Sequence, residues 1–392
     1  MSNRMPPLVS AISDSGALCY ALLRIVEFHA AWLPRAASTE LKIELGYRIG
    51  KLGSALASAH LRFTELTTDV RLLAPICLEH GIVEVLHAET DETIAAASNL
   101  LLTLVGSFVR ALIAGRNRDP LFEVLDGPGA TLLAGLAAQF PASAAPWPTP
   151  SHGTTVLYGN ALPIPQAASS PSRAWELEPR RGDEPSWAAL IGTPGGRAQI
   201  LYDIFADIEL SAMEVCAASL VRFRELPVQF KIDMARQCWD EARHASACLI
   251  RSEELGGPSI GRRYSLKVWD RWAAGRDVIE CLCIEQLVQE GNALDSVESL
   301  ASSFRATGDA RSADLLKVFG RDEELHTAIG NKWVNAIAGM GPDLSFGQRL
   351  RNAAQRIGLT VPGHAPVAFE ARRRGGFPES FLQELASVNR SA

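Results

Sequence analysis

The fold prediction rests on two short stretches of this sequence, WDEARHASAC (residues 239–248) and GRDEELHTA (residues 320–328). Each reads Asp-Glu-x-x-His within a segment of helical periodicity. Residues three apart on a helix face the same way, so each stretch can offer one carboxylate and one imidazole to a common point. Two such helices, together with two more that each carry one inward glutamate, form the di-metal site of a known class of four-helix bundle. The repeated pattern therefore predicts that kind of bundle.

The helix before the first stretch must supply a glutamate from its buried face. Glu209 lies on the apolar stripe that carries Phe205 and Ala212. Glu214 falls instead on the polar face of the same helix. We therefore predict that Glu209 is the ligand from this helix.

The helix before the second stretch offers two candidates. Glu290 lies on the apolar stripe that carries Leu287 and Leu294, and Glu285 lies on a neighbouring stripe. Glu290 is the better candidate, and Glu285 remains a rival.

The spacing of these residues supports one site with two similar halves. Glu241 follows Glu209 by 32 residues, and Glu323 follows Glu290 by 33 residues. Two helical hairpins that contribute equally to one centre should show such a match. The predicted metal ligands are Glu209, Glu241, His244, Glu290, Glu323 and His326.

The residue types favour two iron ions as the cofactor, with manganese as the alternative. Carboxylates in an apolar stripe are costly unless they are paired or bound to metal. Four of them near one point would repel one another, and two divalent cations balance their charge. Carboxylate with imidazole suits iron or manganese, and the absence of thiolates from the set argues against structural zinc. Asp240 and Asp322 precede the ligand glutamates and are candidate acceptors for the ligand imidazoles.

The sequence predicts an all-α protein, with a second helical domain before the bundle. Residues 1–140 are rich in leucine and alanine with helical spacing. Residues 141–194 form a Pro-rich linker, because helices cannot continue through so many prolines. Residues 195–340 form the bundle, and residues 341–392 form a tail that ends in a short helix. The four bundle helices are predicted at about 197–225, 228–255, 275–301 and 308–338.

Two charged features are expected to be structural. Glu84 and His87 form a third Glu-x-x-His pair without a partner glutamate on a preceding stripe, and we interpret it as a solvated pair. The run Arg372-Arg373-Arg374 is expected to be a solvated part of the tail.

Composition limits the kinds of partner and the cellular location that we expect. The net charge of −6, from 44 acidic and 38 basic residues, argues against nucleic acid as the main partner. The seven cysteines are scattered and form no C-x-x-C pair, which indicates free thiols in a reducing compartment. The N-terminus lacks the apolar stretch of a signal peptide, and the longest uncharged helical run, Thr93–Val109, is short for a membrane span. We expect a cytoplasmic protein without a membrane partner.

Four segments carry a family resemblance. DIFADIELSAMEV, WDEARHASA, QLVQEGNALDS and GRDEELHTAIGNKWV resemble an uncharacterised family of ferritin-like proteins, which is similar to the tRNA-hydroxylase type of di-iron enzyme. The resemblance covers about residues 195–345 and extends loosely to the tail. Asp207 stands where the family usually has His, and the match over Glu290-Gly291-Asn292-Ala293-Leu294-Asp295 favours Glu290 over Glu285. The resemblance implies a ferritin-like bundle with a di-iron site.

The expected function is an oxygen-activating, non-haem di-iron oxidase or oxygenase. Its substrate would be a small organic molecule that is hydroxylated, N-oxidised or desaturated, and O2 and an electron donor would be its partners. A homodimer is compatible with the sequence. The alternatives are a tRNA-hydroxylase-like enzyme, a manganese peroxidase or catalase-like enzyme, and a non-catalytic protein that handles iron or acts as a scaffold.

Overall fold

The described part of the chain is almost entirely helical. The computed structural model describes residues 7–69, 88–117, 120–141, 165–174, 176–340, 344–363 and 366–389. Two short strands within these ranges, β1 (Glu178–Pro179) and β2 (Arg263–Tyr264), pair in parallel. The predicted all-α class is confirmed. The pair Glu84–His87 and residues 142–164 of the predicted linker lie outside the described residues.

Four long helical segments occupy the predicted places, and each observed end lies within five residues of its predicted position. Two of them contain a π-helical turn, in which the backbone hydrogen bonds span five residues instead of four. The first segment is α7 (Pro194–Asp203), a first π turn (Ile204–Glu209) and α8 (Leu210–Arg222); the second is α9 (Val228–Glu254); the third is α11 (Val278–Leu282), a second π turn (Cys283–Gln289) and α12 (Glu290–Ala306); the fourth is α13 (Ala310–Ile337). The other helices are α1 (Pro7–Trp32), α2 (Thr39–Leu66), α3 (Asp91–Arg116), α4 (Leu121–Leu125), α5 (Gly127–Gln139), α6 (Trp187–Leu190), α10 (Lys267–Ala273), α14 (Phe346–Arg356), α15 (Phe369–Arg374) and α16 (Glu379–Asn389).

Capping residues set where the site helices begin. The side chains of Thr193, Asp277 and Asp309 each accept a hydrogen bond from the backbone N–H three residues later. These bonds satisfy donors that the first turn of a helix leaves without partners. Pro194 follows Thr193 at the first helical position, where its missing N–H costs nothing.

The contacts divide the chain into two compact units. The first consists of Met1–Ala174 with Cys216–Trp239, and the second of Trp175–Val215 with Asp240–Ala392. The six predicted ligands all belong to the second unit. The domain boundaries that composition suggested, at residues 140, 194 and 340, stay predictions.

Two helices of the first unit are long and apolar enough to cross a membrane by length and composition. They span Leu8–Trp32 and Asp91–Arg116, and 56% and 44% of their most apolar windows are buried. The core helix of a soluble protein passes the same test.

The C-terminal segment around α15 forms polar contacts with both α12 and α13. Arg372 on α15 is fully buried and forms a bidentate ion pair with Asp295 on α12. Asn331 on α13 donates a hydrogen bond from Nδ2 to the Gly375 carbonyl at 2.6 Å, and Arg374 pairs with Glu324 on the same helix. The expectation of a solvated arginine run is therefore wrong for Arg372, because a buried carboxylate balances its charge. The short terminal helix is confirmed as α16.

Candidate metal centre

The two π turns set the position of the glutamates that do not belong to a Glu-x-x-His pair. Glu209 is the last residue of the first π turn, and Glu290 directly follows the second. The N–H of Leu210 bonds to the Phe205 carbonyl, and the N–H of Glu290 bonds to the Glu285 carbonyl. Such an insertion re-aims the side chains at the end of the turn, and π turns are frequent at functional sites. The six predicted ligands form a cluster with two halves, one around His244 and one around His326. The helices that carry Glu209 and Glu290, one for each half, therefore share the same local distortion.

His244 is the centre of the first half. Its Nδ1 atom lies 3.2 Å from Glu241 Oε2 and 3.3 Å from Glu209 Oε2. It also lies 3.8 Å from Glu323 Oε1. Phe319 stacks against the imidazole with 4.1 Å between the ring centroids and so fixes the ring plane.

His326 is the centre of the second half. Its Nδ1 atom lies 3.1 Å from Glu241 Oε1, 3.1 Å from Glu323 Oε2 and 3.8 Å from Glu290 Oε1. Glu241 and Glu323 thus each face both imidazoles, with a different oxygen toward each. Of the two imidazoles, Glu209 lies near that of His244 and Glu290 near that of His326.

The structure brings all six predicted residues together and buries them. The ligand atoms of Glu209, Glu241, His244 and Glu323 lie within 4.8 Å of one another, and those of Glu241, Glu290 and His326 do likewise. The two groups share Glu241. This arrangement of buried carboxylate and imidazole groups could hold a metal ion.

An aspartate lies near the Nε2 atom of each imidazole, and the one beside His244 forms a hydrogen bond across the helices. His244 on α9 and Asp322 on α13 are joined by a hydrogen bond of 3.1 Å at Nε2. His326 on α13 places its Nε2 atom 3.7 Å from Asp240 Oδ2 on α9. Arg243 contacts both aspartates and donates a hydrogen bond to Asp322 at 3.0 Å. An acceptor at Nε2 favours the tautomer that leaves Nδ1 free to bind metal.

Burial makes the charged forms of these carboxylates expensive. It raises the pKa of Glu209 to about 8 and the pKa of Glu290 well above its usual range. Burial acts on Glu323 in the same direction, but the charges of His326 and His244 and the hydrogen bonds with His326 and Glu290 together outweigh it and lower the pKa of Glu323.

The imidazoles take up protons in response. Burial alone would lower the pKa of His326, but the charges of Glu241 and Glu323 raise it to about 10. The pKa of His244 is also raised well above its usual value, because its hydrogen bonds to carboxylates outweigh its burial. Without metal, the cluster is therefore balanced by protons at neutral pH.

The two glutamates that we did not choose as ligands, Glu214 and Glu285, are both buried. Glu285 contributes no atom to either ligand group, and burial with the charges of Glu241 and Glu323 raises its pKa to about 8. The placement of Glu214 on a polar face was wrong, because Glu214 is fully buried. Its helix is buried on all sides from residue 209 to residue 221, so it has no polar face there.

Comparison with known proteins identifies a family without an assigned activity. Residues 148–383 match the model of a family described as Protein of unknown function (DUF455). That match covers more than half of the chain. Neither the curated proteins nor the solved structures contain a match.

Proposed function

This chain belongs to the DUF455 family, and we propose that it is a non-haem di-iron oxidase or oxygenase built on a ferritin-like four-helix bundle. One observation carries the proposal. Two buried imidazoles present Nδ1 to four carboxylates, and two of those carboxylates face both imidazoles. This is the arrangement that a pair of metal ions with two shared ligands requires.

The donor set fits two divalent ions. Four glutamates carry a charge of −4 when ionised, and two such ions carry +4, so metal can replace the protons that now balance the cluster. The donors are oxygen and imidazole nitrogen, which iron and manganese accept, and neither group contains a thiolate. Iron, when bound, would supply the redox and oxygen chemistry.

The chain's own residues would hold, orient and shield that group. Glu241 and Glu323 would bridge the two positions, while Glu209 with His244 and Glu290 with His326 would complete one position each. Asp322 would fix the imidazole of His244, and burial of all six residues would keep water out. We propose a small organic substrate, an electron donor as partner and a cytoplasmic location; the described cysteines are free thiols, which supports the last.

Metal binding should release protons and should tighten as the pH rises from 6 to 8. The pKa of His326 is raised to about 10 and that of Glu209 to about 8, so both groups carry protons that a metal must displace. Calorimetric titration with Mn(II) at pH 7, in two buffers of different ionisation enthalpy, measures this release. Binding heats that do not depend on the buffer would contradict the predicted protonation of the cluster.

Variants that remove one ligand test the shared arrangement. After anaerobic loading with Fe(II), Glu209→Ala should keep about one iron per chain, because the group of Glu241, Glu290 and His326 stays intact. Glu241→Ala should lose both irons, since both groups use Glu241. Equal iron content in the two variants would contradict a bridging role for Glu241.

Oxygen consumption then separates the candidate activities. An oxygenase consumes O2 and forms product only with an organic substrate and a reductant. A protein that handles iron oxidises Fe(II) without substrate, and a scaffold does neither. Disproportionation of hydrogen peroxide by the manganese-loaded protein would favour the catalase-like alternative, and modification of tRNA would favour the hydroxylase-like one, which the net charge of −6 disfavours.

A further inference from the structure

Gln286 is a buried amide that the metal cluster does not use. It lies in the second π turn, one helical turn before Glu290, and is 1% exposed. Neither Oε1 nor Nε2 of its side chain has a hydrogen-bond partner among the described residues. Buried amides are nearly always paired, because an unpaired donor or acceptor has lost its water and gained nothing. A ligand-binding role explains such an exception.

The surroundings place Gln286 in the layer next to the cluster. A methyl group at Gly330 would lie 2.4 Å from Gln286 Cβ, so α13 passes directly beside this side chain. Gly330 lies one turn after His326, and Gln286 lies one turn before Glu290 on the antiparallel helix. The amide is therefore about one helical pitch, roughly 5 Å, along the bundle from the Glu290–His326 half of the cluster.

Another buried glutamine shows what a structural role looks like in this chain. Gln199 is 2% exposed, donates from Nε2 to Asp203 Oδ1 at 2.8 Å, and accepts at Oε1 from the N–H of Ile260 at 2.8 Å. Both ends of its amide are used to join parts of the fold. Gln286 joins nothing, so its amide does not serve to hold the helices together.

We propose that Gln286 binds the polar ligand that reaches the metal centre, an inference that rests on the proposed function. Nε2 would donate to an acceptor atom, and Oε1 would accept from a hydroxyl or amino group. The ligand class is a small molecule that carries a donor and an acceptor close together. The hydroxyl or amino group of an organic substrate would meet this requirement during turnover.

The first test compares Gln286→Leu with Gln199→Leu in the full-length protein. Leucine has nearly the same volume and no polar atoms. For Gln286 the melting temperature should stay the same or rise by about 2 °C, because an unpaired amide is removed. For Gln199 it should fall, because Asp203 loses one of its hydrogen bonds and the Ile260 N–H loses its acceptor. A fall of similar size in both variants would overturn the proposal.

The second test uses azide, a small anion that binds ferric iron and accepts hydrogen bonds. In the iron-loaded protein, followed by absorbance, Gln286→Leu should raise the azide Kd about tenfold while iron content stays unchanged. An unchanged Kd would overturn the inference about Gln286 and leave the metal site standing. A wild-type protein that takes up no iron would overturn the proposed function itself, and the inference with it.

Discussion

Arg372→Met should lower the free energy of unfolding by about 3–5 kcal/mol, the usual cost of leaving one member of a buried ion pair alone. Asp295 accepts hydrogen bonds at 3.0 and 2.7 Å from Arg372 and at 2.9 Å from the Ala368 N–H. Both side chains of the pair are fully buried. In the variant, Asp295 must stay charged without its partner or take up a proton. Denaturant unfolding measures the loss.

Two further variants separate charge pairing from simple packing. The double variant Arg372→Met/Asp295→Leu should recover most of the stability, because no charge is left alone in the core. Arg373→Met, whose side chain is 44% exposed and pairs only with exposed acids, should change stability by less than about 1 kcal/mol. A double variant as unstable as the single one would show that the segment is held by something other than this pair.

Asp322→Ala should weaken metal binding about 10- to 100-fold without removing a ligand. Asp322 accepts the hydrogen bond from His244 Nε2, and its loss frees the ring to change tautomer and orientation. Titration with Mn(II), with competition by a chelator, measures the affinity. Glu324→Ala is the matched control, since Glu324 is the second residue after Asp322 but pairs with Arg374 on the surface. Equal affinities for the two variants would mean that Asp322 does not position His244.

Local spacing was sufficient to predict the cluster. Each Glu-x-x-His pair needs only the geometry of one helix, and the near-equal spacing of Glu209–Glu241 and Glu290–Glu323 linked the pairs. The structure places Glu290 beside His326, and Glu285 outside both ligand groups. These features depend on contacts one turn apart, which a sequence shows directly.

Other features depend on what packs against a helix from a distance. Glu214 was assigned to a polar face, yet it is buried, because periodicity alone cannot show that a helix is covered on all sides. Arg372 was assigned to a solvated run, yet it pairs with Asp295, which lies 77 residues earlier in the chain. The π turns before Glu209 and Glu290 were not predicted either, since a period of 3.6 residues assumes a regular helix.

The metal content of the full-length protein after anaerobic loading with Fe(II) is the direct test of the proposed di-metal site. We predict about two irons per chain in the wild type and none in Glu241→Ala/Glu323→Ala, which removes both carboxylates that face the two imidazoles. An unfolding curve of the double variant, followed by circular dichroism, would confirm that the variant is folded and helical before denaturation. Wild-type protein without bound metal under these conditions would contradict the proposed di-metal site, and the buried cluster would then be a balanced set of protons and charges without redox chemistry.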